Sequence, residues 1–258
     1  MTYEFIRYDR EGALAILTIN RPEVYNALHP PAHDELHHAL DAFAADPELF
    51  VAIVTGAGDK AFCAGFDLKW QASGQEVRMP PTSFGGIAKR DDLFKPVIAA
   101  VNGLAMGGGF EMVLACDLVI AAENAQFALP EPRVGIAALA GGMHRLPRMI
   151  PQKKAMGLLL TGRKIGAAEG EKLGFVNEVV PAGQALEGAR RWAGEILECS
   201  PMSIRCTKEQ ATLGFKYGLV SDAMNAEWPA HKALVESEDY VEGPLAFAQK
   251  RKPIWKGR

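Results

Sequence analysis

Residues 97–117 read VIAAVNGLAMGGGFEMVLACD. Val97, Ile98, Ala99, Ala100 and Val101 make an unbroken apolar run of strand length, which predicts a buried strand. Asn102-Gly103 interrupts it, three small or apolar residues follow, and Gly107-Gly108-Gly109 opens a helical pattern from Phe110 through Met112, Val113 and Leu114 to Cys116. A glycine turn feeding a helix leaves backbone N–H groups unpartnered beside the positive end of the helix dipole. With no Cβ in the way, an oxygen can approach that backbone closely. Glu111 stands in the first turn of the helix. Such a site can hold a developing oxyanion while the carboxylate moves a proton. Plain strand–helix packing fits this stretch equally well, so the rest of the chain has to separate the two. A phosphate cradle fits poorly, because the turn is not G-x-G-x-x-G and no lysine–hydroxyl pair follows the glycines.

Working outward, similar units recur. Phe50 to Thr55 is a second buried strand, emptying into Gly56-Ala57-Gly58-Asp59 and then AFCAGFDLKW, residues 61–70, another small-residue loop before a short helix. Leu118 to Ala122 and Ala125 to Leu129 read as strands ending at Pro130-Glu131-Pro132, with helical segments at 141–149, 151–160 and 167–174 and a strand from Phe175 to Val180. Strand–strand–helix thus occurs about three times, which predicts an α/β fold of stacked ββα turns rather than a doubly wound sheet. Upstream, Tyr3 to Asp9 and Ala13 to Asn20 read as a hairpin around Arg10-Glu11-Gly12. A helix begins near Pro31 and ends near Asp46-Pro47. Within it His33-Asp34-Glu35-Leu36-His37 puts histidines at i and i+4, but Asp34 stands where a zinc-protease helix has its glutamate and no third ligand follows; a solvated helix face is expected. Residues 71–93 are irregular, either a loop covering substrate or a surface excursion. Beyond Pro181 the pattern is helical only: 184–199, 201–213, 220–237 and 237–250. Such a tail has to bury its apolar faces, and sister subunits offer a natural place. The expected division is 1–196 for the spiral core and 197–258 for the helical oligomerisation region.

Composition sets the class. The chain has 258 residues, 48% hydrophobic and 23% charged, as in ordinary soluble globular proteins. A net charge of −3 gives no reason to expect nucleic acid. Four cysteines, Cys63, Cys116, Cys199 and Cys206, lack any C-x-x-C spacing, so neither a metal site nor a disulfide framework is indicated. The start, MTYEFIRYDREG, does not read as a signal peptide, and no run is long enough to span a membrane. A cytoplasmic protein is expected.

Glu131 follows Glu111 by 20 residues, across a strand and a turn, so the chain can return it to the same place. Two glutamates near two glycine-rich N–H donors suit proton transfer at a carbonyl-activated carbon. Paired carboxylates also serve glycosidases, but those need sugar-stacking aromatics and the chain is only 8% aromatic.

The ordered set of local words resembles the enoyl-CoA hydratase/isomerase (crotonase) family over nearly the whole length. The words are Arg21-Pro22 with Asn26-Ala27-Leu28; residues 61–68, AFCAGFDL; residues 95–103, KPVIAAVNG; Gly107 to Glu111; Pro130-Glu131; Gly141-Gly142 with Arg145-Leu146; Leu160-Thr161-Gly162; and residues 246–251, AFAQKR. The resemblance implies a crotonase-like spiral of ββα repeats with a C-terminal helical trimerisation region, assembling as a homotrimer or a dimer of trimers. It implies that the backbone N–H groups of Ala64 and Gly108 hold a thioester oxygen and that Glu111 and Glu131 hold and activate a water. Ala27, Ala64, Gly65, Phe66, Asp67, Leu68, Gly108 and Leu139 would line the substrate path, with Phe247 and Lys250 reaching the nucleotide end of coenzyme A. No cofactor is implied, since coenzyme A is part of the substrate. Many hydratases carry proline then glycine where this chain has Ala138-Leu139-Ala140, which puts Leu139 near the expected water.

Retention of both glutamates favours a carbon–oxygen lyase that adds water to a 2-enoyl-CoA to give the 3-hydroxyacyl-CoA. Alternatives are carnitinyl-CoA dehydratase, whose tail this C-terminus resembles, a 2-enoyl/3-enoyl-CoA isomerase, and a non-catalytic CoA-binding scaffold.

Overall fold

The structure, a computed structural model, describes residues 3–258. The N-terminal hairpin is β1 (Ile6–Glu11) and β2 (Leu14–Ile19), followed by α1 (Pro30–Ala45). Three strand pairs come next. The first is β3 (Val51–Gly56) and β4 (Ala61–Cys63) with α2 (Leu68–Ala72); the second is β5 (Val97–Val101) and β6 (Leu104–Met106) with α3 (Gly108–Ala115). The third is β7 (Leu118–Ala122) and β8 (Gln126–Ala128), ending in a single 3-10 turn at Glu131–Val134. Then follow α4 (Gly142–Met149), α5 (Gln152–Thr161), β9 (Ile165–Gly166), α6 (Ala167–Leu173), β10 (Glu178–Val180) and α7 (Ala185–Leu197). The tail is α8 (Pro201–Leu213), α9 (Val220–Asn225), α10 (Pro229–Val235) and α11 (Glu238–Ala248).

The first strand of each pair enters a six-stranded sheet, order β1-β2-β3-β5-β7-β10, and the second enters a four-stranded sheet, order β4-β6-β8-β9. Apart from the β1–β2 hairpin and the β8–β9 pair, neighbouring strands run parallel. The chain therefore winds as a spiral, each ββα turn stacking on the last, as expected. Central strands are apolar on both faces because both faces are covered. Leu17, Val54, Ala99 and Ala121 point into the main core, while Ile16, Ile53, Ile98 and Ile120 point against α7.

Several boundaries moved. The strand expected at 175–180 shrinks to Glu178–Val180, because Phe175 joins Phe110 and Phe127 in an aromatic cluster of the core. The helix expected at 220–237 is two helices. Pro229 opens the second, where its missing N–H costs nothing, and buried Trp228 fixes the break by donating Nε1–H to the Ala223 carbonyl at 2.8 Å. In 71–93 the second half turns inward, with Phe84, Ile87 and Ala88 all buried. No helix among the described residues is long and apolar enough to cross a membrane.

Candidate active site

The carboxyl ends of β4, β6 and β8, three parallel neighbours of the small sheet, deliver three loops to one place. Each loop carries part of the chemistry. After β4 comes 64–67. The Ala64 N–H donates to the Tyr25 carbonyl at 3.0 Å, so that amide is already engaged. Leu28 then forms a parallel bridge: its N–H donates to the Gly65 carbonyl and its carbonyl accepts from Asp67, both at 2.8 Å. This pattern leaves the intervening Phe66 N–H without a protein acceptor among the described residues. The Ala64 amide is therefore not the open donor that was expected, and the open amide of this loop is that of Phe66. The sequence pattern alone could not distinguish them, because the partner of Ala64 lies 39 residues back, in a left-handed turn at Tyr25 and Asn26.

After β6 comes Gly107, φ +55, then Gly108 as the first residue of α3. First-turn N–H groups of a helix have no intrahelical partner, so the Gly108 amide is free at the positive end of α3. A Cβ on Gly65 would lie 3.5 Å from the Gly108 nitrogen, so the two donor loops touch. Asp67 serves structure here: its carboxylate caps α2 through Lys69 and Trp70 and pairs with Arg21 at 3.1 Å. Arg21 also donates to the Ala27 carbonyl. Ala27 is buried and Leu68 is exposed.

Glu111, in the first turn of α3, and Glu131, against the Gly107 turn, are both buried, at 3% and 6% exposure, and near enough for the charge of one to act on the other. Glu111 Oε1 accepts the Gly142 N–H, the first amide of α4, at 2.9 Å. Burial pushes the Glu111 carboxyl up to about 7; the charge of Glu131 adds to the rise, while the Gly142 and Ala140 amides and Arg145 oppose it. Burial also lifts Glu131 above the usual carboxylate range. Glu131 packs against the glycine turn, where a Cβ on Gly107 would come within 3.0 Å of its Oε1. Its Oε2 is buried without a partner among the described residues. One carboxylate is thus held by a helix N-terminus and the other keeps an open oxygen. Arg145, which sequence reasoning quoted only as part of a word, braces the surroundings by donating to the Ala140 carbonyl at 3.4 Å and to the Ala88 carbonyl at 2.9 Å.

Three expected residues stand elsewhere. Leu139 is 78% exposed while its neighbour Ala138 is buried, so the Leu139 side chain points to solvent rather than into the packed interior that holds the glutamates. It lines instead a cavity of about 730 Å³ with Cys116, Asp117, His144 and Arg145. Phe247 and Lys250 are exposed at the end of α11, whose main packing partners are α8 and α10. The solvated face expected for His33 is also overturned. His33 is fully buried between Phe66 and Phe84, because the irregular segment folds back onto α1. No group of three metal-ligating side chains gathers among the described residues.

The sequence profile described as enoyl-CoA hydratase/isomerase matches residues 9–258. The chain is 40% identical over 263 aligned residues to a carnitinyl-CoA dehydratase of Escherichia coli O157:H7, covering 99% of each chain. Its structure is similar to an enoyl-CoA hydratase from Mycobacterium tuberculosis H37Rv, with a TM-score of 0.92, 36% identity and coverage of 98% and 99%. It is also similar to a carnitinyl-CoA hydratase from Mycobacterium avium, at 0.80 and 39% over the full length of both chains. These relatives carry the names of hydratases and dehydratases, which are lyases, and the fold is theirs. The chain belongs to the enoyl-CoA hydratase/isomerase family.

Proposed function

We propose that the protein is an enoyl-CoA hydratase, reversibly adding water to a 2-enoyl-CoA thioester. The observation that supports this reading is that two buried glutamates, the charge of one acting on the other, and two amides without acceptors, Phe66 and Gly108, lie on the loops at one end of the small sheet. The thioester oxygen sits between those amides, where the α3 dipole favours the enolate. A water lies between Glu111 and Glu131. One carboxylate takes its proton as the oxygen bonds to the β-carbon, and the other gives a proton to the α-carbon, so H and OH add with nothing left over. Burial raises the proton affinity of both groups, and Glu111, at about 7, is suited to this exchange near neutrality. No cofactor takes part; coenzyme A belongs to the substrate. Ala27, Gly65 and Leu68 line its path, with Phe247 and Lys250 supplied by a second copy in a homotrimer or dimer of trimers. Residues 197–258 serve as the oligomerisation region, and the protein works in the cytoplasm.

The test is hydration of crotonyl-CoA, followed by loss of the conjugated thioester absorbance and appearance of the 3-hydroxyacyl product. Glu131→Gln should lower kcat by roughly 10²–10⁴-fold while leaving thioester binding intact. Turnover undiminished in that variant would overturn the assignment. A second reading, carnitinyl-CoA dehydratase, is favoured by the 40% identity to proteins of that name. A trimethylammonium substrate needs an aromatic face near its charge, so competition between crotonyl-CoA and crotonobetainyl-CoA separates the two. A double-bond isomerase would convert a 3-enoyl-CoA without consuming water, and a non-catalytic scaffold would bind these thioesters and turn over none.

A further inference from the structure

Once the glutamates and amides have roles, the His33–His37 spacing remains unexplained. His33 Nδ1 accepts the Gly85 N–H at 3.0 Å, so the ring proton sits on Nε2. That Nε2 is buried with no acceptor among the described residues. A buried unpaired donor is destabilising, and an apolar side chain here would avoid the cost. The ring stacks on Phe66, 6.0 Å between centroids at 21°, and meets Phe84 edge-on at 4.5 Å. Phe66 carries one free amide. The Phe84 ring occupies the space a Cβ on Gly108 would take, so it rests on the residue that carries the other. The turn holding Phe84 has left-handed φ at Ser83, Gly85 and Gly86, +63, +61 and +68. Gly85 and Gly86 take such φ freely but Ser83 does not; the bond to His33, the close seat of Gly86 on the His37 backbone, and the 3.0 Å contact of Thr82 Oγ1 with His37 Nδ1 fix the turn to α1.

We infer that His33 is a positioning residue that sets the spacing of the Phe66 and Gly108 amides, through Phe66 on one side and the Gly85–Phe84 turn on the other. The inference rests on the proposed use of those amides, and His33 itself touches no reacting atom. His33→Leu approximates the volume and removes the acceptor for Gly85. His33→Asn puts Oδ1 where Nδ1 stands and keeps it. Two readouts are needed: kinetics on crotonyl-CoA, and the absorbance of a bound dienoyl-CoA, whose band moves to longer wavelength when its carbonyl accepts strong hydrogen bonds. His33→Leu should lower kcat by about tenfold or more, with KM within about threefold, because small misplacement of the donors weakens binding of the transition state and not of the ground state. It should also lose at least half of the absorbance shift, while His33→Asn retains both properties. A wild-type complex that binds the dienoyl thioester without any shift overturns the use of the amides. A shift and kcat that survive His33→Leu overturn the role of His33 alone. Should His33→Leu fail to fold, Phe84→Leu removes the ring His33 leans on and leaves α1 untouched; an unchanged shift there overturns the inference equally.

Discussion

Glu111 illustrates a conflict between function and stability within one side chain. The N-terminus of α4 favours its ionised form, yet burial outweighs that donor and raises its pKa from 4.5 to about 7. The folded state therefore binds a proton that the unfolded state has released between those values. Stability then falls as pH rises through that window and is level above it, by about 3 kcal/mol as an upper bound from this group. Glu131, also raised, acts in the same direction. Glu111→Gln removes an ionisation that folding opposes while keeping an oxygen for the Gly142 amide. Its melting temperature should match the wild type near pH 4.5 and exceed it by several degrees at pH 8. Thermal melts at four or five pH values check this, and a gap that stays constant with pH would show that Glu111 titrates normally.

At the scale of elements, the site is an end-of-strand construction, and the loops are held by side chains some way from the chemistry. Asn26, in a left-handed conformation with φ +56, donates to the carbonyls of Ala57 at 3.0 Å and Ala61 at 2.8 Å. Asn102 approaches from the β5–β6 turn and donates to Gly56, Gly58 and Ala61, the last at 3.2 Å. Both amides thus meet on Ala61, the start of β4, which sets where the Phe66 loop begins. In either alanine variant Ala61 keeps one donor, and only the pair leaves it bare. Each single change should cost about 1–3 kcal/mol, and the double should exceed their sum by on the order of 1 kcal/mol. Denaturant unfolding of the four proteins measures this, and strict additivity would mean the two side chains act apart. The same elements show what was legible in advance. The apolar runs and glycine turns gave the three ββα turns and placed Glu111 and Glu131 at successive strand ends, since those signals are local. The engagement of the Ala64 amide and the burial of His33 were not legible, because each depends on a segment far away in the chain reaching it; the exposure of Leu139 was not legible because no local pattern says which residue of 138–140 turns inward.

For the molecule as a whole, one chain leaves too much surface. A compact protein of 27.9 kDa is expected to expose roughly 11,000 Å², and this chain exposes 13181 Å². The helical tail carries part of it. Phe215, Leu219, Val220 and Met224, around the start of α9, are each 64–83% exposed, and Phe247 on α11 is 87% exposed. Single exposed apolar residues are ordinary, but four within ten positions are not. A closed homo-oligomer buries such a face with its own copies, and the proposed trimer would do so while bringing Phe247 and Lys250 toward a neighbour's substrate path. Sedimentation equilibrium should therefore give three or six times the chain mass of 27.9 kDa. Val220→Glu with Met224→Glu places charge at the centre of the face and should shift the equilibrium to monomer, with a rise in KM for CoA thioesters larger than the fall in kcat. A protein that sediments as one chain, or a double variant that keeps the wild-type mass, would leave this apolar face without the role assigned to it.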